Sequence, residues 1–144
     1  MTQTATLAAL PRPRLDGGTS GLAPLAGRLL IAPLFLLSGF SKITAPAATI
    51  GMIGASGLPF PTLGFVLAAL IELAGGVALI AGYRVRFAAA AMAIFTVATA
   101  FAFHANLGDQ NQFIHFFKNL SIAGGLLQIV AFGAGRFSLD ARTR

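Results

Sequence analysis

Cysteine is absent from this chain. Disulfides, thiol relays and cysteine-ligated metals are therefore excluded, and a whole class of redox chemistry goes with them. Charge is scarce too: Asp, Glu, Lys and Arg make up 10% of the 144 residues, where a soluble domain carries roughly a quarter. With 56% hydrophobic residues and a mean hydropathy of +0.82, the chain reads as an integral membrane protein, one all-α bundle without room for a second domain. The net charge of +6 does not point to nucleic acid, because the basic residues sit at the ends of apolar runs and form no stripe. Also missing are a phosphate-cradling glycine loop, an HExxH motif, paired carboxylates and a Ser-His-Asp set. No internal repeat is evident, and the discontinuous helices and second half of a transporter are lacking.

What the chain does have is apolar runs of membrane-spanning length, and the one from Thr62 to Gly82 organises the rest. About twenty residues are needed to cross the hydrocarbon of a bilayer. Glu72 interrupts this run near its midpoint, where an unshielded carboxylate costs at least a few kcal/mol. Gly75 and Gly76 follow on the same side of the helix and permit close approach by a neighbour. A first span is expected from Leu22 to Phe40, with Pro33 freeing the carbonyl of Leu29. Between it and the Glu72 span, Pro46 and the Ile50, Met52 and Ile53 side predict a short interfacial helix, ended by Gly57, Pro59 and Pro61. Tyr83 to Arg86 is a basic turn. The third span runs from Phe87 to His104. A polar loop, Ala105 to Gln112, leads to a fourth span opening between Phe113 and Lys118 and continuing to Gly135. The expected organisation is a flexible cytoplasmic tail over 1–21, the four-helix transmembrane bundle over 22–137, and a basic tail over 138–144.

Four spans put both ends of the chain on one side. All eight arginines, including Arg12, Arg14, Arg28, Arg84, Arg86, Arg136, Arg142 and Arg144, fall on that side, and Lys42 and Lys118 fall on the other. The positive-inside rule makes the arginine side cytoplasmic. Lys42, His104, Lys118 and Asn119 then share a layer on the outer side. Glu72 lies about 10 Å deeper at 1.5 Å per residue. The expected arrangement is a polar pocket floored by Glu72, with Lys42 or, from the other side, Arg28 as its cation. Blander roles stand beside it: an ion pair that only fixes helix order, and lysines that snorkel to the interface. A haem between His104 and His115 is geometrically conceivable, although two histidines are a weak signal. Gln128 is expected to hydrogen-bond across helices, and Ser121, Gly124 and Gly125 to pack.

The residues resemble those of the DoxX family of membrane proteins. The likeness rests on Arg28, LFLLSGFSKI (Leu34 to Ile43), LPFP (Leu58 to Pro61), ELAGGVALIAGYRVRFAA (Glu72 to Ala89), AFAFH (Ala100 to His104) and FFKNLSIAGGLL (Phe116 to Leu127). It implies a four-helix bundle in the bacterial cytoplasmic membrane, with a polar signature falling on Arg28, Lys42, Glu72, Arg86, His104, Lys118 and Asn119. Where the family often places an aromatic pair after the histidine, this chain has Asn106 and Leu107. Relatives are associated with thiosulfate:quinone oxidoreductases, with quinone or catechol stress, and with membrane complexes handling thiol stress.

The function expected on this basis is a quinone-linked component of a membrane oxidoreductase. Quinone is the one cofactor implied, and no metal site is expected. His104 and Lys118 would bind the quinone carbonyls, Asn119 would line the site, and Glu72 with Lys42 would form a proton path. Arg28, Arg86 and Gln128 are assigned structural polar roles. The bilayer, a redox partner protein and further copies of the chain are the expected partners. Two alternatives differ in class: a non-catalytic scaffold that docks a partner enzyme, and a bundle that binds a lipid or isoprenoid.

Overall fold

The structure, a computed structural model, describes residues 21–142. The expected tail over 1–21 lies outside these residues except for Gly21, as do Arg12, Arg14 and Arg144. Six helices follow in order: α1 (Leu22–Thr44), α2 (Pro46–Ala55), α3 (Pro61–Ala81), α4 (Val85–His104), α5 (Gln110–Phe132) and α6 (Leu139–Arg142). Helices α1, α3, α4 and α5 are each long and apolar enough to cross a membrane. The short apolar helix expected between the first two spans is α2.

Local chemistry sets the boundaries. Pro46 and Pro61 occupy the first turns of α2 and α3, where the missing amide hydrogen costs nothing. Helix α1 runs through Pro33 and four residues past the expected end, to Thr44. Helix α5 starts at Gln110, ahead of the expected opening, because the Asp109 carboxylate accepts a hydrogen bond from the Gln112 amide at 2.9 Å and so caps its first turn. The same helix stops at Phe132, short of the expected Gly135, because Gly133 takes a left-handed φ of 81°.

Helix α3 packs between α1 and α4, α4 packs on α5, and α2 folds back onto α3, while α1 and α5 touch only sparingly. The core between them is built from small residues (Ala32, Ala89, Ala93, Ala123) around Phe35, Leu79, Met92 and Leu126. Small residues bring backbones together where lipid supplies no hydrophobic drive between helices. The two glycines below Glu72 serve different neighbours. A Cβ on Gly75 would lie 2.6 Å from the Met92 sulfur of α4, and one on Gly76 would lie 2.7 Å from Leu36 of α1 and 3.4 Å from the Ala32 carbonyl. Large apolar residues such as Leu30, Leu37, Phe87 and Ile94 stand at least 71% exposed on the outer surface, as a lipid-facing surface requires.

Arg28 is fully buried, and it does not approach Glu72. Its guanidinium donates to the carbonyls of Leu79 at 2.6 Å, Ile80 at 3.2 Å and Phe137 at 2.6 Å. The first two belong to the last turn of α3, whose carbonyls have no partner within the helix and attract a cation. The third ties down the chain after α5. This segment, expected as a basic tail, is docked as far as Arg142. The Asp140 amide donates to the Gly82 carbonyl at 2.9 Å, and the Asp140 carboxylate accepts from the amides of Arg84 at 2.7 Å and Val85 at 3.0 Å. Asp140 thus caps the start of α4 from a distant part of the chain.

Close approach at Gly76 and open space at Gly124, where a Cβ would meet nothing within 4 Å, give a paired prediction. Gly76→Val is expected to destabilise the protein by about 1–3 kcal/mol through overpacking, and Gly124→Ala to be neutral. Thermal unfolding midpoints in detergent micelles test the contrast, and equal effects would contradict the packing described.

Candidate functional site

Glu72 sits midway along α3 and is 5% exposed. Its cation is Lys42, from the far end of α1. The ammonium donates to Glu72 Oε1 at 2.9 Å and lies 2.8 Å from Oε2. That second contact is an ion pair without hydrogen-bond alignment, so Oε2 keeps an unanswered lone pair. Ser38 completes the cluster: its hydroxyl donates to Oε1 at 3.1 Å and accepts from Lys42 at 2.8 Å. Ser38 and Lys42 are four residues apart, so both side chains share one face of α1. That spacing is the signal in the sequence for Ser38, a hydroxyl one turn before the lysine. The expected gap of about 10 Å between the lysine and the carboxylate is closed by the two extended side chains, without a bridging group.

A second polar cluster forms where α4 ends and α5 begins. His104 Nδ1 pairs with Gln112 Oε1 at 2.7 Å. Since an amide oxygen only accepts, Nδ1 carries the proton there and Nε2 is left as an acceptor. Lys118 Nζ lies 2.8 Å from His115 Nδ1. An ammonium only donates, so this imidazole carries its proton on Nε2. The two rings stack, with centroids 5.0 Å apart and planes 23° from parallel. In this arrangement the two imidazoles face each other and do not present nitrogens to a common centre from opposite sides. A flat ring does lie beside His104, and it comes from His115 instead of the residues after His104.

The two clusters face one cavity of about 280 Å³. Lys42, Glu72, His104, Lys118 and Asn119 all line it, joined by Ser38, His115, Thr96 and Thr99. Its walls are apolar: Leu34, Phe35, Phe95, Phe103 and Ile122. All five residues expected at the pocket therefore meet around one space, contributed by α1, α3, α4 and α5. The remaining candidates lie elsewhere. Arg28 closes the opposite end of the bundle. Arg86 is exposed at the start of α4. Gln128 is exposed on α5 and makes no hydrogen bond among the described residues, contrary to the cross-helix role expected for it, because its face of α5 turns away from the other helices.

Comparison with known proteins agrees with this architecture. The family model described as DoxX matches residues 23–105. The inner membrane protein YqjF of Escherichia coli (strain K12) is 39% identical over 116 residues, covering 81% of this chain and 88% of YqjF. The inner membrane protein YphA of the same organism is 30% identical over 123 residues, covering 82% of this chain and 88% of YphA. No solved structure matches significantly.

Burial of the Lys42–Glu72 pair predicts strong coupling. Lys42→Met strands a carboxylate in the membrane and is expected to cost about 3 kcal/mol. Glu72→Gln frees a lysine whose side chain is 24% exposed and is expected to cost about 1 kcal/mol, since the lysine can snorkel. In the double variant the losses should fall short of their sum by about 1–3 kcal/mol. Denaturant unfolding of the four proteins in micelles reads this directly; additive losses would mean that the pair contributes nothing.

Proposed function

The chain belongs to the DoxX family of inner membrane proteins, and from that footing we propose that it binds a quinone head group in the cavity between Glu72 and His104. The arginine side is taken as cytoplasmic, with both ends of the chain there, so the cavity lies in the outer half of the bundle. The observation that carries the reading is the convergence of two polar clusters on one apolar-walled space. A quinone head wants a few hydrogen-bond partners in an otherwise apolar cleft. The lining meets that description: Lys118, Asn119 and the Nε2 proton of His115 are donors for carbonyl oxygens, and Nε2 of His104 is an acceptor for a hydroxyl. The volume of about 280 Å³ admits one substituted ring and leaves an isoprenoid tail to lie outside it.

A bound quinone supplies a couple in which electrons and protons move together. The chain's part is to orient the ring and to handle the protons. His104 Nε2 can take a proton from a hydroxyl within hydrogen-bonding reach. Glu72, Ser38 and Lys42 form a connected polar chain from mid-membrane toward the lysine-bearing end of α1. With no redox-active cysteine of its own, the chain would rely on a bound quinone and a partner protein for the electrons, as a membrane component of an oxidoreductase would.

The test is a titration of the purified protein with a short-chain benzoquinone, read by calorimetry, together with mass analysis of lipophilic molecules that co-purify. Saturable binding is expected, weakened roughly tenfold by His104→Ala and by Lys118→Met, each of which removes one directional hydrogen-bonding group. A protein that co-purifies without quinone and gives no binding heat would contradict the proposal. If, in addition, changes to exposed loops alone abolished activity in cells, the scaffold reading would replace it.

A further inference from the structure

We infer that a second cavity, at the arginine end of the bundle, is a binding site for the phosphate-bearing headgroup of an anionic phospholipid. This cavity has a volume of about 520 Å³ and is lined by Arg84, Arg86, Arg136, Phe87, Phe132 and Asp140 among others. It lies where α4 begins and α5 ends, closed by the chain that follows α5, so all its walls sit at one boundary of the membrane-spanning region. The site is distinct from the one between Glu72 and His104 and does not rest on the quinone reading.

Three features point to the ligand. The first is charge. Arg84 and Arg86 reach the cavity, and among the described residues neither guanidinium makes a hydrogen bond or ion pair; Arg84 only lies 6.0 Å from the ring of its neighbour Tyr83. Guanidinium groups match phosphate oxygens with paired hydrogen bonds. The Asp140 carboxylate, the acidic group at the cavity, is engaged by the amides of Arg84 and Val85.

The second feature is the backbone. Arg84 holds a left-handed φ of 42°, a conformation that glycine or asparagine adopts more readily. Such strain survives where the rest of the structure enforces it, and it collects at ligand clamps. Here Asp140 enforces it from one side by holding the Arg84 amide. Gly133, with φ of 81°, turns the chain on the other side, and the Arg86 side chain lies over it: a Cβ there would meet Arg86 Nε at 3.4 Å, an ordinary contact. The two arginines are thus presented by a braced turn rather than by loose ends.

The third feature separates a lipid from free phosphate. Phe87 and Phe132 line the same cavity, and they are 78% and 77% exposed. One stands in the first turn of α4 and the other ends α5, so both face the level at which acyl chains begin. A ligand with an anionic head and an apolar body satisfies both linings. Basic pockets at the ends of membrane helices recognise lipid headgroups by this chemistry.

The experiment uses the full chain, purified in detergent. Native mass spectrometry measures retention of added phosphatidylglycerol against phosphatidylcholine, and thermal unfolding is followed with each lipid and with inorganic phosphate. Phosphatidylglycerol should be retained preferentially and should raise the unfolding midpoint, whereas inorganic phosphate should not. In R84N/R86Q, with asparagine chosen because it tolerates the left-handed conformation, retention should fall roughly tenfold, as expected for loss of charge-assisted hydrogen bonds. R142Q removes an exposed charge outside the cavity and should change nothing. Should the double variant fail to fold, R86Q alone gives the reading, since the Arg86 side chain is exposed and makes no hydrogen bond or ion pair among the described residues. Equal retention of both lipids, or unchanged retention when the arginines are replaced, overturns the inference. A midpoint shift reproduced by inorganic phosphate alone also overturns it, in favour of a soluble anion.

Discussion

A carboxylate in hydrocarbon must be answered from within the protein, and the pairing of Glu72 with Lys42 is how this bundle answers it. The cost of an isolated charge at that depth is several kcal/mol, comparable to the whole stability of many small domains. That penalty restricts how α1 and α3 are set against each other. Lys42 reaches the carboxylate because the end of α1 lies beside the middle of α3, and because Gly39 and Gly76 let the two helices close up. A Cβ on Gly39 would lie 3.2 Å from Glu72 Cβ itself. The chain must then return from the end of α1 to the start of α3, and α2 is the segment that makes the return. The ion pair, the glycines and the short helix are parts of one solution.

The two ends of the bundle treat their basic residues differently. At the arginine end, Arg28 is sealed among carbonyls of α3 and of the chain after α5, and Asp140 locks the turn between α3 and α4. Those two groups hold backbone together, while Arg84 and Arg86 line the cavity beside them. At the lysine end, charge lines a space: Lys42 turns inward to Glu72, and Lys118 leans on an imidazole that stacks on another. Sparse contact between α1 and α5 leaves room for the cavity, since both helices contribute walls to it without closing over it.

Much of this was legible in the residues because membranes penalise polarity so heavily. Four spans, a short helix between the first two, and a carboxylate demanding shelter all follow from where apolar runs are long and where they are interrupted. The residues grouped by depth, Lys42, His104, Lys118 and Asn119, do meet around Glu72. Depth alone could not choose between Arg28 and Lys42 as the partner, since both lie within reach along the membrane normal. The choice depends on which face of α1 turns toward α3, and on the free carbonyls at the end of α3 that capture Arg28. The docking of Asp140 was illegible for a similar reason: a cap supplied from 55 residues away leaves no local pattern. Gln128 shows the opposite failure. A polar residue in a span invites a partner, but its face of α5 looks outward.

The account stands or falls on whether Lys42 and Glu72 touch when the protein sits in a bilayer. Glu72 is the single glutamate of the chain, and Lys42 and Lys118 are its only lysines, so labelling these two residue types leaves few signals to confuse. Solid-state NMR on protein carrying ¹⁵N at lysine side chains and ¹³C at the glutamate carboxyl, reconstituted in lipid, measures the dipolar coupling between them. A strong coupling from one lysine, lost in Lys42→Met, is the expected result, in keeping with the nitrogen–oxygen contact of 2.8 Å. A carboxyl with no lysine nitrogen nearby would remove the inner end of the cavity and contradict the account.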